Sequence, residues 1–153
     1  SVSLEALVEA FTEYQSRVKD RNDWSAILDF KSRDGLPAPS LYLTDLGQAV
    51  SLDLTDGLNP ITDEAAVTDV QLASSSLHYL LTHDWGRGTL MVNARFSADY
   101  EGIHRFLAQT QIAYGNNVGL RFPETLPESI LRESPSYVAF FARQAIKLKS
   151  GSS

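Results

Sequence analysis

A chain of 153 residues is long enough for one domain with a real core and too short for two ordinary ones. Its hydrophobic fraction of 43% and charged fraction of 21% belong to a globular protein, not a disordered one. A formal net charge of -6 argues against a general polyanion-binding surface, so nucleic acid is not an expected partner.

Leu4, Leu7, Val8, Phe11, Tyr14 and Val18 recur at three- and four-residue spacing, which predicts an amphipathic helix capped by Ser3 and ended by the polar run Lys19 to Asp23. From Trp24 the apolar period reads as two: Ala26, Leu28 and Phe30 alternate with Ile27, Asp29 and Lys31, as in a strand. The prolines and glycine of "RDGLPAP" mark a loop, and "SLYLTD" and "AVSLDLTD" flank "LGQ" as a hairpin closed by Asp56-Gly57. A loop through Pro60 leads to a fourth strand in "AAVTDVQLA", with Thr68, Val70 and Leu72 on one side.

The hydroxyl residues of "SSSLHYLL" then begin a helix of about two turns. Gly86 and Gly88 supply a turn, and alternation in "TLMVNARF" predicts a fifth strand. Asp99 is placed to cap a helix with Tyr100, Ile103, Phe106, Leu107 and Thr110 or Tyr114 on one face, which "YGNNVGLRFPETLP" ends. Ser134-Pro135 starts a last helix with Val138, Phe141, Ala142 and Ile146 or Ala145 on its apolar stripe. Residues 1–149 thus read as one domain, and "SGSS" at 150–153 as a disordered or appended tail. The direct opening into a helix without a leader fits a domain cut from a longer protein.

The absence of cysteine removes disulfides, thiolate nucleophiles and Cys-based zinc sites, and fits a reducing cytoplasm as the expected location. No apolar run approaches the roughly 20 residues that span a bilayer, so no integral membrane segment is expected. His78, His83 and His104 lack the i, i+4 partner of a helical metal site, and His83 suits the C-terminal end of a helix dipole. No metal and no cofactor is therefore expected. The nucleophile elbow G-x-S-x-G is missing, "WGRG" lacks phosphate-loop spacing, and Asp53, Asp56, Asp63, Glu64 and Asp69 fall near predicted turns or on polar strand faces. No catalytic residue is assigned.

What remains is a surplus of large apolar side chains, with Phe140 and Phe141 adjacent on the last helix so that more than one stripe of it is apolar. The order of elements, together with "VTDVQLASSSLHYLL" followed by "GTLMVNARF", resembles the sterol-carrier-protein-like domain family. Val67 to Leu72 matches that family's polar-apolar strand, Ser75 to Leu81 its serine-initiated helix, and Gly88, Leu90 and Val92 the start of its last strand. Ala94 replaces the family's glycine there, followed by Arg95 and Phe96 where a glycine-acid turn is expected.

The resemblance implies an α+β fold, a single five-stranded mostly antiparallel sheet covered by helices, enclosing an apolar tunnel for a lipid or other hydrophobic small molecule. It also implies an accessory role, since such domains occur at the C-terminus of metallo-β-lactamase-like hydrolases of the alkyl-sulfatase type. Leu77, Leu81, Trp85, Met91, Phe106, Phe140 and Phe141 are the candidate ligand-binding walls. Two other readings stay open: a protein-interaction domain that packs against other domains of a longer chain or forms a homodimer, and a small enzyme with Asp69 or His83 as general base.

Overall fold

The computed structural model describes residues 1–33, 35–63, 68–92, 96–98 and 100–126. Helix α1 (Leu4–Arg21) starts where expected: the Ser3 hydroxyl accepts the Ala6 N–H at 3.2 Å, and Leu7, Ala10, Phe11, Tyr14 and Val18 are buried. Helix α2 (Trp24–Ser32) follows at once.

The strand expected from Trp24 is thus a helix. Asp23 caps it by accepting the Ala26 N–H, and the buried pair is Ile27 and Phe30, three apart, while Leu28 stays exposed. Over so short a window, alternation and helical spacing share residues, and the cap with its three-residue step decides for the helix.

Strands β1 (Ser40–Leu43), β2 (Gln48–Asp53) and β3 (Gly57–Ile61) form an antiparallel meander. Pro60, expected in a loop, lies inside β3; this is tolerated because β3 is an edge strand, where a missing N–H breaks no interior ladder. Strand β4 (Val70–Leu72) runs parallel to β1, and the three-residue β5 (Phe96–Ala98) lies antiparallel along β4. The result is an α+β fold with a mixed sheet, four strands in the order β3-β2-β1-β4 with β5 added at the β4 edge.

Strands β1, β2 and β4 fall where alternation predicted them, but two other expected strands are wholly or partly helix. Besides α2, the first half of the expected last strand is helix: α3 (Ser74–Thr82) is followed by α4 (Gly86–Val92), and Phe96, its final expected residue, lies in β5. The reason is contact. A Cβ on Gly86 would sit 2.6 Å from the Leu80 Cα, so α4 starts pressed against α3, and Leu90 is carried into the core from the helix. Helix α5 (Tyr100–Asn116) closes the described part.

One sheet face is apolar. Leu41 lies opposite Val50 and beside Val70, Leu43 beside Leu72 and Leu52 opposite Leu58, all buried, whereas Gln71 on the alternate positions is exposed. Helix α5 covers that sheet over β2 and β4, and α1 packs against α3, α5 and β3. Gln109 of α5 fastens the layers: its Oε1 accepts the Leu54 N–H at 2.7 Å and its Nε2 donates to the Leu36 carbonyl at 2.6 Å. The expected helix from Ser134 and the tail at 150–153 lie outside the described residues.

Candidate functional site

Of the seven expected ligand walls, Leu77 and Leu81 of α3 and Phe106 of α5 are brought together within the one hydrophobic core, each almost wholly enclosed. Trp85 does not join them. It is 51% exposed at the α3–α4 turn, with its ring edge-on to Tyr114 at 5.8 Å. Met91 falls in α4, where a strand was expected, and Phe140 and Phe141 lie outside the described residues.

Of the carboxylates and imidazoles considered for chemistry, Asp53, Asp69 and His83 are engaged structurally. Asp53 pairs with Lys31 at 2.7 Å and also accepts the Thr55 and Asp56 N–H groups, closing the β2–β3 turn. Burial raises the Asp53 carboxyl, but the hydrogen bonds from Lys31, Thr55 and Asp56 outweigh it and hold it below the usual aspartate range.

Asp69 pairs with Arg105 at 2.8 Å and accepts the Ser40 N–H at 3.0 Å, tying β4 and α5 to the start of β1. Asp45, in the β1–β2 turn, accepts the Ser74 N–H at 2.8 Å and the Ser74 hydroxyl, so the start of α3 is capped from a distant turn. His83 stacks on Tyr79 at 3.9 Å, with Nδ1 3.1 Å from the Tyr79 carbonyl. Among the described residues, no three His, Cys, Asp or Glu side chains group as a metal site would need.

A different cleft emerges where α1, the α3–α4 turn and the end of α5 meet. It encloses about 30 Å³, room for roughly one water. Tyr14, Arg17 and Arg21 reach it from α1, Asp84 from the turn, Arg87 from α4 and Tyr114 from α5. The floor is fastened by a reciprocal pair of amide hydrogen bonds between Asn22 and Asn116, both 2.9 Å.

Arg87 is the best-held cation there. Its guanidinium lies over the Tyr114 ring at 4.7 Å, its Nη1 donates to Gln111 Oε1, and its Nε is enclosed without a hydrogen-bond partner among the described residues. Burial lowers the pKa of this guanidinium, with the Tyr14 and Tyr114 hydroxyls acting the other way. Tyr14, also buried, is raised above the ordinary phenol range by desolvation, against the pull of Arg87 and Arg17. Arg17 donates to the Leu81 carbonyl at the C-terminal end of α3, the end that favours cations.

None of these residues was an expected site residue, although Tyr14, Arg17 and Arg21 step by three and four, a spacing that places them on one face of α1. Arg87 left no such signal, because "WGRG" reads as a turn into a strand. The fold and site together define an α+β domain with a mixed sheet, helices over its apolar face and an arginine-lined cleft at one end. No family model matches the chain, and no curated protein and no solved structure matches it.

Proposed function

We propose that this chain is a non-catalytic binding domain for a lipid or other hydrophobic small molecule, serving as the substrate-recruiting part of a larger enzyme. The observation that carries the reading is the sheet with helices over its apolar face, in the element order two helices, three-strand meander, a strand returning beside the first, two helices, a three-residue strand and a helix. The order on which the resemblance to sterol-carrier-like domains rests is similar but has strands where α2 and α4 stand. The half-exposed Trp85, at the junction of α3 and α4, adds an apolar contact point.

Such a domain needs no reacting group. Enclosing apolar ligand surface gives about 25 cal/mol per Å², so an acyl chain is held by the walls alone. The carboxylates Asp53 and Asp69 are held in ion pairs that tie the fold together, which favours binding over acid-base chemistry. No described helix is long and apolar enough to cross a membrane.

Titration with a fluorescent fatty acid tests the reading. Saturable uptake with energy transfer from tryptophan is expected, weakened several-fold in Trp85→Ala and in Phe141→Asp. A folded domain that takes up no probe, while light scattering finds a stable dimer, would replace this reading with the interaction-domain one.

A further inference from the structure

The chain is net acidic, yet four of its nine arginines gather at one end of the molecule. Arg17, Arg21 and Arg87 line the inner cleft, and Arg21 and Asn116 also line an adjoining open depression of about 260 Å³, where Arg121 joins them. The acidic side chains that face these two spaces are Asp84 and Asp20. Neither stands within 4.0 Å of the arginines as an ion pair among the described residues. Three other described cations are matched: Lys31 pairs with Asp53, Arg33 with Asp29, and Arg105 with Asp69 and Glu101.

We propose that this cleft is an oxyanion-binding site, in which Arg87 takes the carboxylate or phosphate end of a small ligand while Arg17 and Arg21 complete the positive wall. The guanidinium of Arg87 is already oriented, by the Tyr114 ring on one side and by Gln111 on the other, and its enclosed Nε has no hydrogen-bond partner among the described residues. A planar guanidinium held in this way meets an oxyanion at little ordering cost. Its lowered pKa has the same origin: burial without a matched anion.

Space sets the size of what enters. The inner cleft admits little beyond the anionic atoms themselves, so the body of the ligand lies in the outer depression, against Leu120 and under Arg121. Asp84 at the cleft is a neighbour of the wrong sign, which an incoming anion must overcome. The site is distinct from the apolar walls above, because Leu77, Leu81, Trp85 and Phe106 do not line it.

Isothermal titration calorimetry of the folded chain with inorganic phosphate, decyl phosphate and neutral decanol tests the site. Saturable binding of phosphate and decyl phosphate is expected, weakening with added NaCl. At least a tenfold loss is expected in Arg87→Met and a several-fold loss in the exposed Arg21→Gln, with tighter binding in Asp84→Asn and no change in Arg33→Gln. Equal binding of phosphate and decyl phosphate makes a free oxyanion the ligand, whereas binding of decyl phosphate alone, with the same arginine dependence, makes it an amphiphile's head group. Decyl phosphate and decanol binding alike, with neither arginine mattering, overturns the oxyanion site and leaves the apolar reading standing. Should Arg87→Met fail to fold, an unchanged affinity in Arg21→Gln together with no salt dependence overturns it equally.

Discussion

The Gln109 side chain accepts the Leu54 N–H at 2.7 Å and is itself only 2% exposed, so a helix and the end of β2 are joined by a hydrogen bond sealed from water. Its amide nitrogen is spent on the Leu36 carbonyl, at a residue whose φ of 54° puts the backbone in the left-handed region. Replacing Gln109 with Leu keeps the volume but orphans a buried donor and a buried acceptor. A loss of roughly 2–4 kcal/mol is expected, each orphaned group costing about 1–3 kcal/mol. Urea unfolding of Gln109→Leu measures it, and a loss below about 0.5 kcal/mol would sink the claim that water is excluded there.

The contact between α3 and α4 makes a paired prediction. Gly86→Ala would put a methyl group 2.6 Å from both the Leu80 Cα and the Tyr79 carbonyl oxygen, which are backbone atoms that cannot swing aside. A cost of about 1–3 kcal/mol is expected. Gly88→Ala meets only the Tyr114 ring at 3.6 Å, ordinary contact, and gains up to about 1 kcal/mol of helix propensity. Thermal melts of the two variants should move in opposite directions. If both fell together, α4 would not be the helix described.

The Lys31–Asp53 pair sets an acid limit. The Asp53 carboxyl is held below its unfolded value, so its contribution is fully present above the ordinary aspartate pKa of about 3.9 and is lost as pH falls through the lower folded value. Asp53→Asn should therefore be less stable than the parent at pH 7, with the gap closing toward pH 2. Urea midpoints across that range check the sign. A gap that widens on acidification would show that the pair does not govern this turn.

What could be read from residues alone, and what could not, divides along a physical line. Helix α1 was legible because eighteen residues carry several turns of a 3.6-residue stripe and an N-cap at Ser3. The β1–β2 hairpin and the paired Val70 and Leu72 were legible because alternation there coincides with a one-sided sheet. Trp24–Ser32 misled because nine residues hold too few repeats to separate period two from period 3.6, and the deciding cap at Asp23 is a single side chain.

The glycines of "THDWGRG" were readable as a break, but not their direction. Gly86 is needed because α4 lies on the backbone of Leu80, a contact between neighbouring helices that no local pattern records.

The candidate sites follow the same rule. Apolar identity predicted that Leu77, Leu81 and Phe106 would meet in an interior, since burial is the default for such side chains wherever they fall. Charge carries no such default. Arg17 and Arg21 could be placed on one helix face from their spacing, but Arg87 and Tyr114 joined them only when α4 and the end of α5 were packed beside α1. The sequence by itself thus determined the acidic balance and much of which side chains must be hidden. Only the tertiary structure decided which arginines share a cleft, because a guanidinium's partners come from the approach of separate helices and leave no periodic trace along the chain.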